Sequence, residues 1–361
     1  MKHQKHVKLA KRKGAVEISI LGTSCAAIEN CVQEISSSLN HRTVYLDGSH
    51  DRDSDHNGID TYTYNDKSFY QSQFSSNFEK STRQTQFSSY DICLVNGNHF
   101  EAEHQIVFLD PKKRGSVERR MTQLSNVLAF VSLEEDWELF DFLSEFKDVP
   151  TVHSITEISA LISAFCPEPE LSGLILIGGK SSRMGSDKSA LVYHDQSQKN
   201  HVKNLLSQAL GENSEVFYSV APGTHLDLDN RIEDEFGDLG PFGAILTAFK
   251  RYPNRAFLVL AIDLPLLELS LLEDLISKRN FGKVATAAIG LDKPFPEPLV
   301  AIYEPKSYPV MLQYLASGYS CPRKVLINTD VTLVKTEDEL LENANDKEDY
   351  NRLKKRGDRF Q

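Results

Sequence analysis

Leu174-Ile-Leu-Ile-Gly-Gly-Lys-Ser-Ser-Arg-Met-Gly-Ser-Asp-Lys188 is the stretch whose reading decides the fold. An apolar strand runs into Gly178-Gly179, and Lys180, Arg183 and Lys188 follow within ten residues. Paired glycines let the backbone turn tightly and approach a ligand closely. Successive N–H groups at such a turn form an anion nest, and a helix beginning nearby strengthens it. Arg183 and Lys188 can add charge-assisted hydrogen bonds to phosphate oxygens. The stretch is not a Walker A loop: Leu174 stands five residues before Gly179, where that loop needs its first glycine. A glycine turn with surface basic residues would explain Gly-Gly alone, but not the whole string.

Working outward, apolar strands at Gly173–Ile177, Glu215–Val220, Ala256–Ile262, Lys283–Ala288, Leu299–Tyr303 and Val331–Val334 alternate with amphipathic helices. That alternation predicts α/β layers with mostly parallel sheets. Asp263 ends the otherwise apolar run Phe257–Ile262, and a carboxylate at the carboxyl edge of a central parallel strand sits where such sheets bind ligands. A helix cap or turn aspartate is the plainer reading. Asp234, among Glu233, Glu235 and Asp238, reads equally as a base or ribose acceptor and as one of several solvated acids. Asn343 and Asn345 offer donors and acceptors, or a helix cap.

Upstream, Cys166-Pro-Glu-Pro-Glu170 carries two prolines in three residues, which forbid a continued helix and favour an extended spacer. The expected organisation is therefore residues 1–166, a linker at 167–170, and residues 171–361. The first half has strand candidates at Glu17–Leu21, Thr43–Leu46, Ile92–Val95, Gln105–Leu109 and Val127–Val131, a short strand near Thr151, and a helix at Ile155–Phe165. Ser49 to Ser89, rich in Ser, Asp, Asn and Gln, reads as a mobile or functional loop with at most one helix. Ile18-Ser-Ile-Leu-Gly-Thr-Ser-Cys-Ala-Ala-Ile-Glu29 runs from strand into helix as a P-loop does. Yet Ala27, Ile28 and Glu29 stand where Gly, Lys and Ser/Thr belong, so phosphate has no partner there. His50-Asp-Arg-Asp-Ser-Asp-His56 mimics the start of a calcium loop but lacks its glycine and closing glutamate, and reads as a solvated acidic turn. His99 and His104 read as ordinary polar residues.

The net charge of −11 argues against bulk affinity for nucleic acid or anionic membrane. No apolar run approaches the ~20 residues of a membrane span, and the basic N-terminus lacks the continuous apolar core of a secretory signal. Five scattered cysteines without a C-x-x-C suit a reducing cytoplasm and supply no zinc ligand set.

The G-G-x-S-x-R-M-G-x-D-K string resembles the nucleotide-binding loop of molybdenum cofactor guanylyltransferases, within the nucleotide-diphospho-sugar-transferase-like (Rossmann-like) fold. Arg231-Ile-Glu-Asp234 with Gly240-Pro-Phe-Gly-Ala-Ile245, Leu258-Val-Leu-Ala-Ile-Asp-Leu-Pro265 and Glu342-Asn-Ala-Asn-Asp-Lys-Glu-Asp349 resemble the family's later motifs in order. The resemblance implies two three-layer α/β domains and transfer of GMP from Mg·GTP to molybdenum-bound molybdopterin, releasing pyrophosphate. It implies Arg183, Lys188 and Asp263 as catalytic residues, with Asp263 holding Mg²⁺. Leu176, Ile177, Gly178, Gly179, Lys188, Ser219, Asp234 and Asp263 would contact nucleotide, and Asn343 and Asn345 the acceptor. Ile177 replaces the family's usual alanine, and Ser219 stands where an asparagine is frequent. Thr43-Val-Tyr-Leu-Asp47 with His50-Asp51, and Tyr90-Asp-Ile-Cys-Leu-Val-Asn-Gly97, make the first half similar to the MobB-like molybdopterin-guanine dinucleotide biosynthesis adapter, with Asn96 in place of a metal-associated glutamate. That half is then expected to be a non-hydrolysing docking or homodimerisation domain, meeting other cofactor-biosynthesis proteins or a target molybdoenzyme. A cytidylyl or sugar-1-phosphate transferase and a non-catalytic nucleotide carrier remain the alternatives.

Overall fold

The computed structural model describes residues 10, 12–48, 61–64, 70–73, 80–133, 138–177, 197–211, 213–224, 226–344, 348–349 and 352–353. They form two compact units: residues 14–167, and residues 168–361 together with those before Gly14. The sequence places residues 1–13 with the first half. In the structure, however, Arg12 Nε donates to the Pro305 carbonyl at 3.3 Å and the Lys13 N–H donates to Asn254 Oδ1 at 2.7 Å. These bonds tie Arg12 and Lys13 to the second unit.

The first unit contains, in chain order, β1 (Val16–Leu21), α1 (Cys25–Ser38), β2 (Thr43–Leu46), β3 (Thr61–Tyr64), β4 (Tyr70–Gln73), α2 (Lys80–Gln86), β5 (Ile92–Asn96), β6 (His104–Phe108), α3 (Arg114–Glu118), β7 (Val127–Val131), β8 (Thr151–Val152) and α4 (Ile155–Phe165). Six strands form a wholly parallel sheet in the order β2-β5-β1-β6-β7-β8. Every residue of β1 after Val16 is buried, as expected of a central parallel strand covered on both faces. Ile18 and Ile20 pack with Ile28 and Ile35 of α1 and Ile158 and Ile162 of α4, while Leu21, Val107 and Phe130 join Leu143 in a separate cluster. Gly22 follows β1 with φ +86°, and a Cβ there would lie 2.3 Å from the Phe108 carbonyl oxygen. Only glycine fits that turn. Within 49–89, where at most one helix is expected, β3 and β4 also pair as an antiparallel hairpin, Thr61 opposite Gln73 and Tyr64 opposite Tyr70. The two segments are only four residues each, Thr-Tyr-Thr-Tyr and Tyr-Gln-Ser-Gln, and lie in Ser-, Asp- and Gln-rich sequence, so no hydrophobic period marks them.

The second unit contains β9 (Leu171–Leu176), α5 (Gln198–Leu210), β10 (Val216–Val220), β11 (Arg231–Glu233), α6 (Pro241–Arg251), β12 (Ala256–Ala261), α7 (Leu269–Ser277), β13 (Ala285–Gly290), β14 (Val300–Tyr303), α8 (Ser307–Ala316), α9 (Pro322–Ile327) and β15 (Val331–Thr336). Its sheet runs β11-β10-β9-β12-β14-β13-β15, parallel except at β14. Phe242, Ile245 and Phe249 of α6 pack with Phe217 and Phe257, while Leu206 of α5 and Leu272 and Leu275 of α7 pack with Ile175, Leu258 and Leu260. The two groups come from alternate positions of β9, β10 and β12, so helices cover both faces. Both sheets are therefore those of a mostly parallel α/β protein, and no helix among the described residues is long and apolar enough to cross a membrane.

The proline-rich segment is fastened to this second unit. Arg279 pairs with Glu168 at 2.5 Å, donates to the Pro169 carbonyl at 2.9 Å, and holds the fully buried Glu304 at 2.7 and 2.9 Å. Arg255 pairs with Glu170 at 3.4 Å.

Candidate functional site

Because β9, β10, β11 and β12 are parallel, their carboxyl ends share one edge of the second sheet. The antiparallel β14 brings its amino end to the same edge, opposite Leu260 through Val300. This is where an open α/β sheet places its ligands.

Leu176 closes β9, buried and in register with Ser219 and Ala261. The next N–H, that of Ile177, donates to the Ser219 carbonyl at 3.0 Å. Leu176 joins the cluster under α6, whereas Ile177 packs toward the α5 and α7 side. Ser219 is only 3 % exposed, so the structure seats it inside the sheet beside Leu176. Gly178, Gly179, Arg183 and Lys188 lie outside the described residues, as does Asn345.

Asp234 follows β11, a three-residue edge strand that the sequence reading missed. Its N–H donates to the Val220 carbonyl at 2.9 Å. Its Oδ1 accepts from the Phe236 N–H and the Thr247 hydroxyl, both at 2.9 Å. Thr247 is fully buried on α6, and a Cβ at Gly243 would stand 3.1 Å from Asp234 Oδ2. Asp234 is thus a half-buried acid that binds its loop to α6, unlike exposed Glu235, which pairs with Lys250 at 2.5 Å and Arg251 at 2.8 Å. Those two cations hold the Glu235 carboxyl below the usual glutamate range. Gly240, with φ +57°, precedes Pro241 at the start of α6, so the turn and the helix start are set by one Gly-Pro pair.

Asp263 stands two residues beyond β12, half-buried between the buried residues Ile262 and Leu264. Its carbonyl accepts the Ala344 N–H at 2.8 Å, which places Asn343 in the adjoining segment. Leu266, Ala344 and Leu353 form a small apolar cluster that anchors this segment. The structure also adds a residue the sequence reading passed over. Glu297 lies just before β14, and burial, first of all, pushes its carboxyl above the usual range, with the nearby Asp263 charge acting the same way. The Arg323 guanidinium opposes this, donating to Glu297 at 3.1 Å. The only sequence signal was an acid between Pro296 and Pro298, immediately before an apolar strand.

An acid whose charge disfavours ionisation of a buried neighbour suits a divalent cation, which would offset that charge. Among the described residues no group of three His, Cys, Asp or Glu converges as a metal cage. One or two carboxylates completed by substrate phosphates is how Mg²⁺ is usually held. The edge therefore presents a half-buried acid with a second acid in electrostatic reach, a separate acid beside a glycine-started helix, and an asparagine-bearing strap.

Residues 173–331 match the model of the MobA-like NTP transferase domain. A molybdenum cofactor biosynthesis bifunctional protein of Synechocystis is 34% identical over 188 residues, covering 51% of this chain and 53% of that protein. This chain therefore spans about half the length of that relative. A probable molybdenum cofactor guanylyltransferase of Flavobacterium johnsoniae is 31% identical over 142 residues, 39% of this chain and 72% of that protein. Among solved structures, molybdopterin-guanine dinucleotide biosynthesis protein A from Archaeoglobus fulgidus aligns with 18% identity and a TM-score of 0.41, over 51% of this chain and 97% of that one.

Proposed function

The chain belongs to the family of MobA-like molybdenum cofactor guanylyltransferases, and from that premise we propose that its second unit transfers GMP from GTP to the terminal phosphate of molybdenum-bound molybdopterin. The observation that supports this most is the position of Asp263 at the carboxyl edge, with Glu297 in electrostatic reach and the Asn343 segment bonded to its backbone.

The acceptor phosphate is already anionic near neutral pH, so its oxygen attacks the α-phosphorus without a general base, and pyrophosphate leaves with the bond electrons. Catalysis is then positioning and charge neutralisation. Asp263 would hold a divalent cation, Mg²⁺ in this proposal, which would supply part of that neutralisation. Gly178, Gly179 and Arg183 cradle the triphosphate, and Lys188 meets the charge that develops in the transition state. Leu176, Ile177 and Ser219 line the nucleotide side, Asp234 contacts the nucleotide through Oδ2, and Asn343 and Asn345 face the acceptor. The first unit, with Ala27, Ile28 and Glu29 in place of phosphate-binding groups, serves as a docking or dimerisation domain.

Nucleotide competition on the full chain tests the donor. Mg²⁺-dependent binding that GTP dominates over CTP and ATP is expected. A preference for CTP would reject the guanylyl assignment.

A further inference from the structure

The first unit gathers a second constellation at the carboxyl edge of its own sheet, in the place where a P-loop would bind phosphate. Cys25 is the first residue of the 14-residue helix α1, behind the N-cap Ser24, whose side chain accepts from the Ala27 N–H. His99 Nε2 lies 3.4 Å from Cys25 Sγ and 3.7 Å from Asp47 Oδ1. Asp47 is itself fixed: Oδ1 accepts from Asn96 Nδ2 at 2.9 Å and from the Gly48 N–H at 2.7 Å, and Oδ2 accepts from the Tyr45 hydroxyl at 2.9 Å. Asn98 Nδ2 donates to the Thr23 carbonyl at 3.1 Å and lies 3.6 Å from the Cys25 sulfur. A Cβ on Gly48 would come within 3.0 Å of the imidazole, so the absence of a side chain there makes room for the ring.

This arrangement has the parts an activated thiol needs. A helix N-terminus favours a thiolate. An imidazole at hydrogen-bond range can accept the thiol proton, and a carboxylate beside it stabilises the imidazolium so formed. Access is retained, since Cys25 is partly exposed while Cys31, Cys93 and Cys166 are buried. The site does not suit phosphate, because Asp47 and Glu29 both act on Tyr45 as negative charges, adding to the burial that raises its hydroxyl.

We propose that Cys25, with His99 as its proton acceptor and the Asp47 carboxylate, 3.7 Å from the same Nε2, offsetting the charge that the imidazole gains, is a thiol-modification site that takes small neutral or cationic disulfides. The thiol proton passes from Sγ to His99 Nε2, and the sulfur attacks one sulfur of the disulfide. The disulfide bond breaks as the new bond to Cys25 forms, and the departing thiolate takes the proton from Nε2. Cys25 is oxidised and the departing half of the reagent is reduced, so electrons and protons balance.

The test treats the full chain with cystamine, quenches with acid and reads each cysteine by peptide mass, with exposed Cys321 as the internal reference. The proposal expects Cys25 to be modified faster than Cys321 by roughly 100-fold or more, the low end of a positioned base's effect. His99→Gln should bring the Cys25 rate down to that of Cys321 without changing Cys321. Asp47→Asn should slow Cys25 as well, and it serves in place of His99→Gln if that variant does not fold. Cys25 reacting no faster than Cys321 in the unaltered chain would overturn the proposal, as would an unchanged Cys25 rate in a folded His99→Gln protein.

Discussion

The Ala344 N–H donates to the Asp263 carbonyl oxygen at 2.8 Å, although the strands β13, β14 and β15 and the helices α7, α8 and α9 lie between the two in the chain. Through this bond the C-terminal strap is registered on the residue proposed to hold the cation. Ala344→Pro removes the donor while leaving the side-chain volume small. Transfer to the acceptor should fall by about 10- to 100-fold, the scale of a misplacement of about 1 Å, while GTP affinity changes much less. Equal losses in GTP binding and in transfer would show that the strap serves the fold rather than the acceptor.

Thr247 is the fully buried partner of both Asp234 Oδ1 and the Glu235 N–H, at 2.9 and 3.0 Å. Thr247→Val keeps the shape but leaves an N–H and a carboxylate oxygen short of a partner. The expected cost is about 1–3 kcal/mol in denaturant unfolding, with weaker nucleotide binding as Asp234 loosens. An unchanged unfolding midpoint would mean that water replaces the hydroxyl without loss.

Burial and Asp263 hold the Glu297 carboxyl above its ordinary range. The folded protein therefore keeps this proton at pH values where the unfolded chain has released it, and stability falls as pH rises from the ordinary glutamate value through the raised one. Glu297→Gln has no such proton to lose. Unfolding measured at steps from about pH 4 to pH 7 should show a smaller fall for the variant than for the parent chain. Parallel curves would remove the electrostatic account of this pair.

Much of this was legible in advance because the central strands are apolar runs too short for helices. Ala256–Ile262 and Gly173–Ile177 marked β12 and β9, and Asp263 stood out as the acid that ends such a run. The hairpin of β3 and β4 gave no apolar period, and β11 is three residues with two charged side chains. Glu297 drew no reading from the sequence, because its reach to Asp263 depends on β14, the antiparallel strand of its sheet, which periodicity does not orient. Cys25, Asp47 and His99 come together only because β2 and β5 lie on the same side of β1, a sheet order that no local pattern encodes.

The most direct measurement is guanylyl transfer itself, with the full chain, GTP, Mg²⁺ and molybdenum-bound molybdopterin, following pyrophosphate and the guanine dinucleotide product together. The parent chain should form both in equal amounts, and Asp263→Asn should be slower by roughly 100- to 1,000-fold, the usual loss when one group that stabilises transition-state charge is removed. Pyrophosphate released at the same rate by both proteins, or with no guanine dinucleotide formed, would contradict the assignment of Asp263 and of the reaction.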